Sequence, residues 1–384
     1  MMNKKELFCL DKEVIFLNHG SFGACPVSIL EKYQDWQKIL ESQPVEFLGR
    51  KHAALLKTSR QALGKYIQSD ADNLVYVSNA TTAINFIGWS VKLKPGDEVI
   101  TTNLEYGAMD RMWQFICHER GANYKKVKVD LPFDKVNFIK SFTNEITSKT
   151  KVIFLSMITS ATALRIPVEE VCKIARDYGI LTVVDGAHAP GQIPLNLNNM
   201  NVDFFTGNCH KWMMAPKGTA FLYASPAVQP VLKPLIISWG KEIDTINNSD
   251  FLNDFEYLGT RDISGFLTVP ECISFLEQYN PFNHRQDLYH LLETAAEGMR
   301  LILETPPITE IRNNGLMMYA HPLPVNLDGK KLKYELYEQF KIEIPVVVQN
   351  QNQYIRVSVQ IYNTLAEIVF FLEKLKFLVN KLKS

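Results

Sequence analysis

The strongest constraint on the fold is an alternation of short apolar runs with amphipathic stretches between residues 74 and 185. The apolar runs predict strands, and the stretches between them predict helices. Strands and helices that alternate in this way form βαβ units, whose strands are parallel and whose helices cover both faces of the sheet. We therefore predict an α/β domain with a mostly parallel sheet. The predicted strands are Leu74–Ser78, Asp97–Thr102, Tyr124–Val129, Val152–Ser156 and Leu181–Asp185, and the predicted helices are 80–91, 107–120, 134–147 and 167–179.

After Gly259 the pattern changes to longer helices with few strands, which predicts a smaller α+β domain. Helices are expected over 262–277, 284–304, 328–341 and 363–382, and strands over Leu316–His321 and Tyr354–Val359. A chain of 384 residues also exceeds what one hydrophobic core usually serves. We therefore expect two domains. Residues 1–265 would form an N-terminal arm and the large domain, and residues 266–384 the small C-terminal domain.

Charge and cysteine content exclude several classes of protein. Lys+Arg and Asp+Glu both number 41, so no basic surface for a nucleic acid is indicated. No apolar run reaches the roughly 18 residues of a membrane span, and Glu6 and Asp11 interrupt any apolar segment of a signal peptide. The six cysteines are scattered without a CxxC pair, which is typical of reduced thiols in a cytoplasm. We expect a cytoplasmic enzyme that acts on a small molecule.

One lysine stands in a turn between two predicted buried strands. The apolar run 202–208 ends at His210-Lys211-Trp212, and a second apolar run follows at Thr219–Tyr223. Burial or a cationic neighbour would lower the pKa of such a lysine toward that of a usable amine. We predict that Lys211 is a Schiff-base lysine that holds pyridoxal phosphate. The alternative is an ordinary solvated lysine in a turn.

Three further polar clusters follow predicted strands, where parallel sheets bind their ligands. The stretch 78–83, SNATTA, precedes a helix and predicts an anion site, although an ordinary helix cap has the same composition. Tyr106 could stack on a planar ring, although tyrosines are more often simply core or surface residues. Asp185 is costly to bury without a cation, and a protonated pyridine nitrogen would be one. A metal site at Asp185, His188 and His210 is the alternative, but no further ligand cluster supports it.

These stretches together resemble fold-type I pyridoxal phosphate enzymes of the class V aminotransferase family, within it the isopenicillin N epimerase-like branch. The resemblance rests on Asp185-Gly-Ala-His188-Ala-Pro-Gly191 and on Asn208-Cys-His210-Lys211-Trp-Met-Met-Ala-Pro-Lys-Gly218. It spans almost the whole chain in the same order. Supporting stretches are Leu17-Asn-His-Gly-Ser-Phe-Gly23, Asn79-Ala-Thr-Thr-Ala-Ile-Asn85, Glu105-Tyr-Gly-Ala108, Ile158-Thr-Ser-Ala-Thr-Ala163, Gly259-Thr-Arg-Asp262 and Arg356-Val-Ser-Val-Gln-Ile-Tyr-Asn363.

The resemblance implies a role for each matching residue. Lys211 would carry the cofactor and act as the base at Cα, and Asp185 would pair with the pyridine nitrogen. Tyr106 would cover the ring, and His188 would lie near its O3′ side. Arg356 would clamp the α-carboxylate of an amino acid, a task that suits a bidentate guanidinium. Asn18 and His19 are expected on the substrate side. The other expected cofactor-binding residues are Thr81, Thr82, Thr162, Asn208, His210 and, from the second subunit of a homodimer, Thr260.

One position departs from the family pattern. Many members have a proline where this chain has Ala161, between Ser160 and Thr162. The contact of this loop with the cofactor's O3′ is therefore the least secure of the implied contacts. The pocket for the substrate side chain cannot be derived from the sequence, and Phe22, Phe47, Arg50 and Trp239 are only candidates for it.

The resemblance leaves the reaction open, because loss of the Cα proton leads to epimerisation, β-elimination or transamination. We predict an epimerase-like enzyme, whose second acid would be Tyr106, His188 or His19. A C–S lyase or desulfhydrase on a cysteine-type substrate is the alternative, followed by an aminotransferase. No cysteine follows Cys272, which disfavours persulfide-forming desulfuration. A regulator without chemistry is disfavoured because the lysine, aspartate and arginine are all retained.

Overall fold

The computed structural model describes residues 4–241, 249–310 and 315–383. Its strands are β1 Ile15–Phe16, β2 Leu74–Val77, β3 Glu98–Thr102, β4 Asn123–Val127, β5 Thr150–Ser156, β6 Leu181–Asp185, β7 Phe204–Asn208, β8 Ala220–Ala224, β9 Met318–Pro322, β10 Ile342–Glu343, β11 Val346–Gln349 and β12 Asn352–Ser358. Its α-helices are α1 His19–Phe22, α2 Val27–Ser42, α3 His52–Ile67, α4 Ala80–Ser90, α5 Gly107–Arg120, α6 Lys135–Asn144, α7 Val168–Asp177, α8 Leu197–Met200, α9 Asp250–Glu256, α10 Ser264–Leu267, α11 Val269–Tyr279, α12 Gln286–Leu303, α13 Gly329–Phe340 and α14 Leu365–Lys383.

A seven-stranded sheet in the order β2-β8-β7-β6-β5-β3-β4 forms the centre of the large domain. Its strands β4, β3, β5, β6 and β7 are parallel, whereas β8 is antiparallel to both β7 and β2. Successive side chains of a strand point to opposite faces. Accordingly, Ile153 and Leu155 belong to one hydrophobic core and Val152 and Phe154 to the other. Burial on both faces explains the continuous apolar runs, and the predicted fold class is confirmed.

The C-terminal part contains an antiparallel sheet in the order β11-β12-β9. Strand β1 of the N-terminal arm pairs in parallel with β10, and Asn18 forms a bridge with Ser358 at the end of β12. The arm therefore contacts the C-terminal part of the chain, while the boundary near residue 265 stays a prediction. Within the described ranges, no helix combines the length and apolar character needed to cross a bilayer.

The largest difference from the predicted elements lies at 262–277, where one long helix was expected. The structure has two helices there, α10 and α11, with Thr268 between them. Pro270 occupies the first turn of α11, where its missing N–H costs nothing. The same proline would remove a backbone hydrogen bond from the interior of a continuous helix, so the break follows from the backbone chemistry of proline.

Candidate active site

A cavity of about 270 Å³ lies at the carboxyl ends of β2, β3, β5, β6 and β7. This is the edge at which a parallel sheet presents its loops to a ligand. The cavity brings together seven of the predicted site residues, which come from four different loops. They are Thr81, Tyr106, Asp185, His188, Asn208, His210 and Lys211.

The amine of Lys211 contacts the imidazole of His188, which is held in turn by Trp212. Its Nζ lies 3.1 Å from Nε2 of His188, and Nε1 of Trp212 donates to Nδ1 of the same imidazole over 3.2 Å. The pKa of Lys211 is lowered to about 8, mainly by burial; Asp185 opposes this shift and Arg356 contributes to it. His188 is buried, and its pKa lies well below 6.5 for the same reason. The lowered pKa makes the uncharged, nucleophilic form of the amine more abundant near neutral pH than it is for a solvated lysine.

Asp185 ends β6 beneath the cavity and is 4% exposed. The backbone N–H of Ala187 donates to its Oδ1 over 2.9 Å. Burial raises the pKa of this carboxyl, and no cationic side chain of the described residues forms an ion pair with it. A buried carboxyl without such a partner suits a ligand that brings its own cationic nitrogen. Among the described residues, no group of three or more His, Cys, Asp or Glu side chains is arranged to hold a metal ion.

The beginning of α4 also lines the cavity. Asn79 caps this helix by accepting the N–H of Thr82 over 2.8 Å, and Asn208 accepts the N–H of Ala80 over 2.9 Å. Thr81 lines the cavity, and the positive end of the helix dipole favours an anion there. His210 donates from Nδ1 to the carbonyl of Thr219 over 3.1 Å, and burial lowers its pKa to about 4.

Arg356 projects from β12 and is 2% exposed. It donates from Nη2 to Oγ of Ser21 over 2.9 Å and from Nη1 to the carbonyl of Ser160, while its Nε has no partner among the described residues. Both acceptor residues line the cavity. Burial lowers the pKa of the guanidinium to about 10, and no carboxylate among the described residues compensates it. A guanidinium in this state is prepared for an anionic ligand.

Asn18 lies behind Arg356 and outside the cavity lining. Oγ of Ser21 donates to Oδ1 of Asn18 over 2.5 Å, and Nδ2 of Asn18 donates to Oε1 of Glu343 over 2.9 Å. Asn18 thus orients the hydroxyl that receives Arg356. The pairing of β1 with β10 holds the N-terminal arm in the position where Asn18 and Ser21 can make these contacts.

The structure places His19 away from the cavity as well. This residue is fully buried, and its Nε2 donates to the carbonyl of Lys211 over 3.1 Å. Its Nδ1 lies 2.9 Å from the hydroxyl of Tyr362, which must therefore donate to it. Because both ring nitrogens are engaged, His19 supports the backbone of the lysine loop.

Three other predicted cofactor residues do not line the cavity either. Thr162 is buried, and its Oγ1 lies 2.7 Å from Oγ1 of Thr159. Thr82 donates from Oγ1 to Asn79 over 3.1 Å and lines a neighbouring groove with Thr81, while Thr260 is exposed. Of the side-chain pocket candidates, Phe22 lines the cavity, Phe47 is buried, and Arg50 and Trp239 line a different cavity.

The sequence interpretation missed four polar residues at this site: Ser21, Glu105, Ser156 and Trp212. Glu105 is buried, accepts from Thr102 over 2.6 Å and from the N–H of Ser156 over 2.8 Å, and burial raises its pKa to about 7. Two of the four stand beside residues that were predicted, since Glu105 precedes Tyr106 and Trp212 follows Lys211. Ser21 and Glu105 also lie within stretches that carry the family resemblance, whereas the contacts of Ser156 with Glu105 and of Trp212 with His188 join separate parts of the chain.

Replacement of Gly191 by alanine is expected to lower the free energy of unfolding by about 2–5 kcal/mol. Gly191 has φ +80°, and an added Cβ would lie 2.4 Å from the carbonyl oxygen of Trp212 in the lysine loop. The substitution therefore combines backbone strain with a clash against backbone that cannot move aside. Urea denaturation followed by circular dichroism measures the loss.

Gly179→Ala provides the matched control for this prediction. Gly179 also has a positive φ, +65°, but an added Cβ would meet nothing within 4 Å. Only the strain of the left-handed backbone remains, which amounts to about 1–2 kcal/mol. Equal losses in the two variants would contradict the close packing of Gly191 against the lysine loop.

Comparisons with known proteins cover almost the whole chain. The model of the Aminotransferase class-V family matches residues 25–371. Isopenicillin N epimerase from Streptomyces clavuligerus is 32% identical over 374 residues, covering 94% of this chain and 93% of that protein. Putative L-cysteine desulfhydrase 1 from Oryza sativa subsp. japonica is 28% identical over 415 residues, covering 95% of this chain and 82% of that protein.

Among solved structures, a C-DES variant with glycine covalently linked to its PLP cofactor has a TM-score of 0.84 with this chain. The two are 19% identical, and the match covers 95% of this chain and 97% of the other, which shows a common fold. The family match is far more extensive than half of the chain, and an epimerase relative confirms the predicted branch. The chain therefore belongs to the class-V aminotransferase family of pyridoxal-phosphate-dependent enzymes, as its motifs predicted.

Proposed function

We propose that this enzyme acts at Cα of an amino acid through Lys211, with epimerisation as its reaction. The observation that carries the proposal is a cavity lined by an amine of lowered pKa and a buried carboxyl, with a buried guanidinium that donates to two further lining residues. Each of the three is costly to bury alone, and each matches one part of a pyridoxal phosphate–amino acid pair. The amine matches the aldehyde, the carboxyl the pyridine nitrogen, and the guanidinium the substrate carboxylate.

The residues present fit the cofactor at both of its ends. Asp185 lacks an ion-pair partner among the described residues, and the beginning of α4 offers Thr81 and helix-dipole charge to a phosphate. We assign Thr81, Asn208 and His210 to the phosphate end, Asp185 to the nitrogen, Tyr106 to the ring face and His188 to the O3′ side. Thr82 and Thr162 do not line the cavity, and we assign them to the phosphate end and the O3′ side only through the loops that also carry the lining residues Thr81 and Ser160. When bound, pyridoxal phosphate supplies an electron sink that acidifies the Cα proton.

The substrate carboxylate would bind to Arg356, whose Nη atoms contact cavity-lining residues. In this proposal Asn18 and His19 do not contact the substrate and act on its binding site through other residues. Asn18 orients Ser21, and His19 holds the carbonyl of Lys211. Bidentate recognition at Arg356 fixes the direction in which the Cα–H bond points, and this direction decides which group can take the proton.

The placement of the acid–base groups favours epimerisation. Lys211 follows β7 and Tyr106 follows β3, and β6 and β5 lie between these strands. Three strand spacings separate the two strands by about 14 Å, and both side chains line the cavity. We therefore infer that they act on opposite sides of the substrate. His188 touches Lys211 and serves the same side, while His19 has both ring nitrogens engaged. Tyr106 is therefore the candidate second acid, and Lys211 the base.

A C–S lyase acting on a cysteine-type substrate is the second candidate. It is supported by a relative named as a putative L-cysteine desulfhydrase, and β-elimination requires only Lys211 and a leaving sulfur. A persulfide route is disfavoured, because none of the cavity-lining residues is a cysteine. Transamination is the third candidate, and no feature of the cavity specifically favours it.

We also propose a cytoplasmic homodimer in which Thr260 completes the phosphate site of the other subunit. Thr260 is exposed and does not line the cavity of its own chain. Leu235 and Ile236 are 48% and 49% exposed and line the groove that contains Thr81 and Thr82. A second copy would cover this apolar rim. Light scattering that gives a monomeric mass would contradict the dimer.

The free cysteines suit a reducing cytoplasm.

A panel of amino acids in deuterated water tests the proposed reaction. Epimerisation predicts deuterium at Cα together with inverted chirality, and no keto acid. Pyruvate with ammonia would instead show the lyase, and a keto acid formed only with a keto acceptor would show transamination. Purified protein that is colourless and takes up no pyridoxal phosphate would overturn the whole assignment.

A further inference from the structure

We propose that Trp212 is a positioning residue that fixes the tautomer of His188 and thereby disfavours the charged form of Lys211. The indole Nε1 of Trp212 lies 3.2 Å from Nδ1 of His188. An indole nitrogen can only donate a hydrogen bond, so Nδ1 must present its lone pair. A neutral imidazole carries one proton on its ring nitrogens. The proton of His188 therefore resides on Nε2.

The Nε2–H of His188 points at the amine of Lys211, 3.1 Å away. An ammonium group has three N–H donors and no acceptor, whereas a neutral amine has a lone pair. This contact is therefore a hydrogen bond only while Lys211 is uncharged. A doubly protonated His188 is excluded, because burial holds its pKa well below 6.5. When Lys211 gains a proton, its N–H groups and the Nε2–H of His188 are all donors, and they repel each other.

The indole is firmly held in this position. Trp212 is fully buried, its ring centroid lies 4.9 Å from that of His19, and Gly191 closely approaches its backbone. Without the indole N–H, His188 could carry its proton on Nδ1 and accept a hydrogen bond from a Lys211 ammonium at Nε2. Loss of this one N–H should consequently raise the pKa of Lys211.

Other charged groups also act on this pair of residues. Asp185 at the end of β6 favours the ammonium form of Lys211, whereas Arg356 on β12 opposes it. His210 and Arg356 both lower the pKa of His188. A Trp212→Phe substitution leaves all of these groups in place, so its effect reports on the indole N–H.

Competitive acetylation with acetic anhydride tests the inference on the full-length protein freed of cofactor. The labelling of the Lys211 peptide is followed by mass spectrometry between pH 6 and 11, and its midpoint gives the pKa of the amine. We expect Trp212→Phe to raise this midpoint by about one pH unit, because the ammonium gains a charge-assisted hydrogen bond. Incorporation of benzothienylalanine at position 212 by nonsense suppression removes only the N–H and should give the same rise, even if Trp212→Phe does not fold.

Two matched variants separate this mechanism from general loosening of the core. Trp113→Phe replaces another fully buried indole, one that does not line the cavity, and should leave the midpoint unchanged. In a His188→Leu background, Trp212→Phe should no longer shift the midpoint. An unchanged midpoint in Trp212→Phe, or a shift that persists without His188, would overturn the inference. So would ¹⁵N chemical shifts that place the His188 proton on Nδ1.

The inference rests on the proposed function only in the choice of Lys211 as the functional amine. Acetylation and ¹⁵N shifts are measured without cofactor or substrate. They can therefore contradict the tautomer assignment while the panel of amino acids supports the proposed reaction, or support the assignment while the panel contradicts the reaction. A failure of the tautomer assignment is therefore distinguishable from a failure of the proposed reaction.

Discussion

Lys211→Ala is expected to lower turnover by about 10⁴-fold or more, while the protein still binds pyridoxal phosphate non-covalently. The amine is the group in the cavity with both a lowered pKa, about 8, and a position next to His188, 3.1 Å away. In the proposed function it both holds the cofactor and takes the Cα proton, and general base catalysis alone contributes about 10²–10⁴-fold. Steady-state kinetics on the amino acid identified by the panel measures the loss.

Lys217→Ala is the matched control, since Lys217 lies on the same loop and the pKa of its amine is also lowered by desolvation. Its Nζ donates to the carbonyl of Gly23 over 3.1 Å and does not line the cavity. We expect this variant to lose a hydrogen bond but to keep its turnover within a few-fold. Borohydride should fix the cofactor to the peptide containing Lys211 in the parent and the control, but not in Lys211→Ala. Substantial turnover in Lys211→Ala would refute the assignment of the base.

The central sheet was predictable from the sequence because its strands are buried on both faces. Runs such as Val152–Ser156 supply side chains to two cores and are apolar at nearly every position. The pairing of β1 with β10 was not predictable in the same way. Two-residue strands carry no periodicity, and their pairing joins residues 15–16 to 342–343 across almost the whole chain.

The same distinction applies to the site. Asp185 ends one strand and Lys211 stands in the loop after the next, so their proximity follows from the geometry of a parallel sheet. The contacts of Arg356 with Ser21 and of His19 with Lys211 depend on how the N-terminal arm folds back. No local pattern encodes such contacts, and the expected place of His19 on the substrate side came from the family resemblance alone. Its contacts with Tyr362 and with the carbonyl of Lys211 make it a support of the lysine loop.

Arg356→Gln is expected to lower kcat/KM for an amino acid by about 10²–10³-fold without lowering the stability of the fold. Removal of one partner from a buried, hydrogen-bonded charge pair costs about 3–5 kcal/mol, and the substrate carboxylate would be that partner. In the free protein the guanidinium is buried, its Nε has no partner among the described residues, and burial lowers its pKa to about 10. Its neutral replacement removes an uncompensated charge, so the melting temperature should stay equal or rise.

A purely structural role for Arg356 predicts the reverse combination, a lower melting temperature with a proportionate loss of activity on every substrate. The methyl ester of the same amino acid separates the two roles, because it lacks the carboxylate charge. The parent protein should lose most of its advantage over Arg356→Gln on this ester. Arg356→Lys keeps the charge but not the planar pair of donors that contacts Ser21 and Ser160, so it should recover only part of kcat/KM. Full recovery by lysine would show that charge alone is required, and equal losses on acid and ester would contradict carboxylate binding at Arg356.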